Sequence, residues 1–351
     1  MSTLPKTMKA AVLIELKTPL VIAELQMPET LAVGQVLVKI HFSGICGSQL
    51  GEIDGAKGED KFLPHLLGHE ASGTVLGIGP GVKHVKPDDK VVLHWRKGLG
   101  IESETPHFFW KERKINAGWI TTFNEYAIVS ENRVTPIPAD SNLEVAALLG
   151  CAVTTGFGVI ENNAKLRIGE SVVVFGAGGI GLNIVQAAAL VSAYPIIAVD
   201  LHDNKLELAK RMGATHVINS ISGDVRQAIL NIVGSNAGID AFIDNTGQPA
   251  IIELGYQITK PQGRVTLVGV PRRGNNINIY SLPLHFGKGL NGSHGGETVP
   301  QIDIPRYHQL YRSGRIKLRE LITDYYPLEK VNDAIADMRS GKVSGRCLIC
   351  L

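Results

Sequence analysis

The sequence predicts an α/β protein organised around a doubly wound parallel sheet, and three observations carry that reading. A β-branched run, Val172 to Val174, leads straight into Gly176-Ala177-Gly178-Gly179-Ile180-Gly181. An apolar pattern of helical spacing follows through Leu182, Ile184, Val185, Ala187, Ala188 and Leu190. A second buried run, Ile196 to Val199, then ends on the carboxylate of Asp200. Strand, glycine turn, helix, strand and acid, in that order, make the βαβ unit that binds a dinucleotide. Gly176 permits the tight turn, Gly178 lets the backbone approach a pyrophosphate, and Gly181 lets helix and strand pack closely. The helix N-terminus offers its N–H groups to the phosphates. Asp200 can accept hydrogen bonds from both ribose hydroxyls and would repel a 2′-phosphate. No arginine immediately follows it, so NAD(H) is expected over NADP(H).

Composition sets the bounds. A chain of 351 residues has room for two cores, and 44% hydrophobic residues with 39 glycines and 6% aromatics suits a soluble α/β protein. A net charge of +2 gives no electrostatic reason to expect a nucleic-acid or membrane partner. No apolar run reaches membrane-spanning length and no leader with a cleavage site is evident, so a cytoplasmic location is expected. The four cysteines, Cys46, Cys151, Cys347 and Cys350, are too few for a disulfide framework at this size, and each is read separately.

Taken in order, the chain opens with strands over Met8–Leu16 and Gln35–His41. Cys46-Gly47-Ser48-Gln49 follows, and then Leu67-Gly68-His69-Glu70. Thiolate and imidazole are ligands zinc prefers, and a catalytic zinc needs three protein ligands and an open position. Taken singly, Cys46 reads as a small buried hydrophobe and His69 as a satisfied core histidine.

Taken together these segments say more. Cys46-Gly47-Ser48, Gly68-His69-Glu70 with Gly73, Gly77, Gly79 and Gly81 after it, and Leu149-Gly150-Cys151-Ala152-Val153-Thr154-Thr155-Gly156 resemble the zinc-containing medium-chain alcohol dehydrogenases. The resemblance runs in the family's order over essentially the whole chain. It implies a mostly β, GroES-like catalytic domain at 1–152, an inserted NAD-binding Rossmann domain at 153–291, and a return to the catalytic domain at 292–351. It implies interconversion of an alcohol with its aldehyde or ketone by hydride transfer, the reaction lying between the domains. One catalytic zinc per chain would be held by Cys46, His69 and Cys151. Glu70 would approach the metal during ligand exchange, and Ser48 would take the proton from the alcohol. Cofactor contacts would come from Thr155, Gly176, Gly178, Gly179, Ile180, Gly181, Asp200, Lys205 at the ribose, the backbone of Val268, Gly269 and Val270 at the carboxamide, and Arg346 at the pyrophosphate and Glu70. The implied partners are a small-molecule alcohol or aldehyde and further copies of the chain, as a homodimer or homotetramer.

Three departures stand out. The family's next proton-relay residue is a histidine three positions after the serine, where this chain has Gly51. Gln49 stands where the family usually has an aspartate that accepts a hydrogen bond from the liganding histidine, which predicts a more Lewis-acidic and less tightly held zinc. Between His94 and Phe123 there is no cysteine, so the structural zinc of many relatives is not expected. That interval reads as a loop anchored by Phe108-Phe109-Trp110 with a basic rim. His94, Trp95 and Arg96 at its start are the expected substrate contacts, and Arg96 and Lys97 suggest a polar, anionic or sugar-derived alcohol.

Further elements are expected as a strand over Thr121–Val129, a helix over Asn142–Leu149, a helix over Asp203–Met212 and a strand over Ile239–Asp244. A strand over Arg264–Val270 and helices over Ile304–Arg312 and Leu328–Met338 complete the chain. Cys347 and Cys350 sit in an apolar strand with nothing to activate them and read as structural. Two rival readings remain: a zinc-free quinone or enone reductase of the same fold, and a nucleotide-binding protein without catalysis. The retained Cys46, His69 and Cys151 oppose the first; Ser48, Glu70 and Arg346 oppose the second.

Overall fold

The computed structural model describes residues 4–234 and 238–351. The chain divides into two compact units, one formed by Met1–Cys151 with Val299–Leu351 and the other by Ala152–Thr298. Among the described residues no single helix is long and apolar enough to cross a membrane.

In the inserted unit six strands lie parallel in the order His216–Asn219, Ile196–Asp200, Val172–Phe175, Ile239–Asp244, Thr259–Leu267 and Gly289–Gly292. The strand order reverses direction between Val172–Phe175 and Ile239–Asp244, the place where doubly wound sheets bind ligands. Strands covered on both faces need β-branched and aromatic side chains, and Val173, Ile197, Val199, Phe242 and Val265 supply that core. The helix Gly179–Leu190 starts at the glycine turn, and Asp203–Met212 is helical as its periodicity predicts.

The strand expected over Arg264–Val270 is displaced towards the N-terminus. It spans Thr259–Leu267 because Thr259 already pairs with Ile239 across an irregularity, and the Val268 and Gly269 amides then turn to the Asp244 carbonyl at 2.8 and 2.9 Å. The unit ends at Thr298 rather than near 291. Gly296 is tied to the helical segment Val159–Ala164 by a 2.8 Å bond from Asn162 Nδ2 to its carbonyl, which keeps the expected crossover inside the nucleotide unit.

The other unit is mainly β. Thr7–Leu13, Val21–Gln26, His107–Trp110, Arg113–Asn116 and His65–Leu66 close into a barrel. A second sheet runs Val134–Pro136, Lys90–His94, Glu70–Ile78, Gln35–Gly44, Arg346–Cys350 and Ile322–Pro327, with Tyr126–Ser130 also pairing to Gln35–Gly44. Only the second half of the strand expected over Thr121–Val129 forms. The Thr122 and Phe123 amides both bond to the Leu67 carbonyl and Asn124 makes only an isolated bridge to Ala10, so that stretch is no regular strand.

The expected loop after Trp95 contains a hairpin. Phe108 and Ile115 are fully buried in the barrel core beside Met8 and Leu25, and burying such side chains contributes roughly 1.5–3 kcal/mol each. The helix expected from Ile304 begins at Pro300, whose fixed φ suits a first helical position, and runs to Arg312. In the C-terminal strand Cys347 is fully buried, and burial pushes its thiol up to about 12, far from a reactive thiolate.

Candidate active site

Three elements of the β-rich unit converge on one corner. Cys46 is the N-cap of the short helix Gly47–Ile53. His69 immediately precedes the strand Glu70–Ile78, and its approach depends on Gly68, which has φ +93° and would place a Cβ 2.3 Å from Thr122 Oγ1. Cys151 ends the unit's first segment, just after the helical turn Leu148–Gly150. There the backbone lies so close to Lys90–His94 that a Cβ on Gly150 would meet the Leu93 carbonyl at 2.2 Å.

The three ligand atoms lie within 4.8 Å of one another. His69 Nε2 is buried with no hydrogen-bond partner, a costly arrangement that makes sense for an atom that gives its lone pair to a metal. The hydrogen bond from Cys151 and the nearby His69 hold the Cys46 thiol well below its usual value, although burial pulls the other way. Two thiols and an imidazole form the three-ligand donor set of a catalytic zinc, and the residues fit that ion. Ser48 Oγ, one residue past the helix start, is likewise buried and bonded to nothing. Behind the ligands Glu70 forms an ion pair with Arg346, and both are almost completely buried.

Of the expected substrate contacts, Trp95 lies against the corner: its ring meets that of His69 edge to face with centroids 6.4 Å apart. Arg96 places its guanidinium 5.9 Å from the Trp95 ring centroid. His94 does not serve in this way. It is 1% exposed, its ring nitrogens are engaged by the Arg96 carbonyl at 2.8 Å and the Thr135 hydroxyl at 2.9 Å, and burial drives its pKa down to about 4. It is a neutral structural histidine. Lys97 is bound at 2.7 Å to Glu102, which also pairs with Arg133.

In the nucleotide unit the turn is open where a phosphate would approach. No atom lies within 4 Å of a Cβ built on Gly178, and no side chain caps the helix that starts at Gly179. Gly181 is constrained instead, since its Cβ would stand 2.0 Å from the Gly176 carbonyl oxygen. Asp200 is nearly buried and oriented by backbone, accepting from Ala177 N at 2.7 Å and His202 N at 3.1 Å. Each carboxylate oxygen keeps a lone pair for a ribose hydroxyl, so the cradle fits a dinucleotide. Thr155 is buried in the helix Ala152–Gly158, and Lys205 is half-buried in the helix after Asp200. Because the Val268 and Gly269 amides are taken by Asp244, only the carbonyls of that stretch and the Val270 amide are left for a ligand.

Two features escaped the sequence reading. Asp244, fully buried at a strand end, holds the Asn245-Thr246-Gly247 loop by accepting from Thr246 N and Oγ1 and from Gly247 N, at 2.9, 2.6 and 2.9 Å. A carboxylate closing a largely apolar strand was the available signal. Glu131, 1% exposed, accepts from the backbone of Lys83, His84 and Ile101 at 2.6, 2.9 and 2.8 Å. Burial raises its pKa, but these donors together pull it below the ordinary carboxylate value. With Glu102 it holds down the stretch that follows Trp95.

Comparison with known proteins agrees with this geometry. The family profiles "Alcohol dehydrogenase GroES-like domain" and "Zinc-binding dehydrogenase" match residues 32–139 and 179–312. An S-(hydroxymethyl)glutathione dehydrogenase of Haemophilus influenzae is 32% identical, with 95% of each chain covered. Among solved structures, an alcohol dehydrogenase zinc-binding domain protein from Burkholderia ambifaria superposes with a TM-score of 0.89 at 31% identity, covering 98% of this chain and 99% of the other. Benzyl alcohol dehydrogenase from Acinetobacter calcoaceticus gives 0.88 at 29% identity, covering 99% and 100%.

Proposed function

The chain belongs to the zinc-dependent alcohol dehydrogenase family and is an oxidoreductase interconverting an alcohol with its aldehyde or ketone, and on that premise we propose that Cys46, His69 and Cys151 hold one catalytic zinc and that NAD(H) is preferred to NADP(H). The observation that carries the site is the convergence of two thiols on a buried, unpartnered imidazole nitrogen. The cofactor preference rests on Asp200, with Leu201 rather than an arginine after it.

A bound zinc supplies charge that lowers the pKa of an alcohol oxygen, and a bound nicotinamide supplies the hydride acceptor. Ser48 Oγ, unpartnered beside Cys46, accepts the hydroxyl proton as the hydride leaves carbon. Gly51 has no side chain to carry that proton further, so it passes from Ser48 to water. Trp95 walls one side of the corner and excludes water there. A single zinc per chain is proposed because Glu102 and Glu131 already staple the region after Trp95.

The test is zinc content by mass spectrometry of purified wild type and Cys151→Ala, with benzyl alcohol turnover under NAD and NADP. One zinc per chain, lost in the variant along with at least about a thousandfold of activity, is expected, since removing a ligand disables the electrostatic part of catalysis. Zinc retained in full by the variant removes Cys151 from the site. Two zincs in wild type refute the single-metal reading, and equal turnover with NADP refutes the cofactor preference.

For the substrate we favour an alcohol bearing a polar or anionic group, because Arg96 gives the Trp95 wall a cationic rim. Arg96→Ala should lower kcat/KM for 4-carboxybenzyl alcohol about tenfold while changing benzyl alcohol less than about threefold. An equal effect on both substrates sinks that preference.

A further inference from the structure

The side-chain amide of Gln49 serves two neighbours at once. As the third residue of the helix Gly47–Ile53 it closes a capping box, its Oε1 accepting from the Cys46 backbone N–H at 2.9 Å. Which way a glutamine amide points is decided by its hydrogen bonds, and a backbone N–H can only donate. Cys46 therefore fixes the oxygen on its own side and turns Nε2 towards His69, where it contacts Nδ1. Gln49 is 1% exposed, so water does not relieve this arrangement.

An amide nitrogen only donates, so Nδ1 of His69 must accept. A neutral imidazole that accepts at Nδ1 carries its hydrogen on Nε2, the atom aimed at Cys46 and Cys151. A metal at that corner needs the Nε2 lone pair, which moves the hydrogen to Nδ1 and brings two donors face to face. Rotating the amide by half a turn shifts the conflict to the Cys46 N–H without removing it. A carboxylate at this position has acceptors on both oxygens and satisfies both donors together.

We infer that Gln49 is a positioning residue that holds the metal-free corner in the wrong tautomer for zinc, so that loading the metal costs His69 a change of tautomer and Gln49 one of its hydrogen bonds. This rests on the proposed zinc site. The capping box and the metal corner are thereby coupled: zinc is held more loosely in order that the helix carrying Cys46 and Ser48 keeps its cap.

The test uses the full chain loaded with zinc and titrated with a chelator of known affinity at pH 8, wild type beside Gln49→Glu. That change keeps the length of the side chain and replaces its donor with an acceptor. The glutamate variant should hold zinc about tenfold to a hundredfold more tightly, the usual range for a partner of a liganding histidine. Equal affinities overturn the inference and leave the zinc site standing, whereas no zinc in either protein overturns both. A second measurement needs no folded variant. In the ¹⁵N-histidine-labelled wild type, long-range ¹H–¹⁵N correlation should show His69 with its hydrogen on Nε2 after zinc removal and on Nδ1 after zinc is restored. A hydrogen on Nδ1 in the metal-free protein overturns the inference.

Discussion

The glycine turn and the acid expected to meet the phosphates and ribose of a cofactor come from one stretch, Val172 to Asp200, whereas the metal corner gathers Cys46, His69 and Cys151 from three separate elements. The turn works through backbone: an open helix N-terminus, a glycine that cannot accept a carbon, and an acid oriented by two amides. The corner works through side chains, and Gln49 supports two of its residues, Cys46 and His69. Geometry built from consecutive backbone leaves few alternatives and fails abruptly. Geometry assembled from distant side chains can be retuned one partner at a time, and Gln49 and Gly51 are where this chain departs from the family pattern.

The most damaging way to probe that difference is a single carbon in the turn. Gly181→Ala places a Cβ 2.0 Å from the Gly176 oxygen, and that backbone cannot yield cheaply. Overpacking of about 1–3 kcal/mol predicts NADH binding weakened on the order of tenfold to a hundredfold by fluorescence titration. Zinc content should stay at the wild-type level, because the ligands belong to the other unit. Normal NADH affinity, or loss of zinc together with NADH, would break the contrast between a brittle turn and a separately supported corner.

The same contrast explains what was readable in the sequence. The turn, its sheet and Asp200 were legible because their signal is local: β-branched run, glycine spacing, helical periodicity and acid all lie within one βαβ unit. The ligand triad was legible only through resemblance, since nothing local says that Cys46 and Cys151 share a corner. What escaped is set by partners distant in sequence. His94 looked fit to meet substrate, but Thr135, forty-one positions away, takes one of its nitrogens. Glu131 carried no sequence signal, because its donors, the backbone of Lys83 and Ile101, lie far from it along the chain. The atom that Gln49 presents to His69 is decided by a helix cap, and residue identity alone left its amide oxygen available to the imidazole.

The gentlest change tests whether the corner is as tolerant as this contrast requires. Gly51 lies in the helix Gly47–Ile53, and the nearest atom to a Cβ built there is Ala56 Cβ at 3.6 Å, ordinary contact distance. Gly51→His should therefore fold, and exchanging glycine for a residue with less backbone freedom should add a few tenths of a kcal/mol to stability. A histidine three positions after Ser48 lies near the same helix face and gives the departing proton a base with an ordinary pKa of about 6.5. Alcohol oxidation should rise by less than about tenfold, and its pH profile should gain an inflection in that region, with zinc content unchanged. The inflection is the decisive part, because a faster enzyme with the old pH profile has gained stability or cofactor exchange and not a relay. If the folded, zinc-loaded variant shows no new inflection, the proton leaves Ser48 by a route that bypasses position 51. The glycine would then be a neutral replacement and not the point at which this chain hands its proton to water.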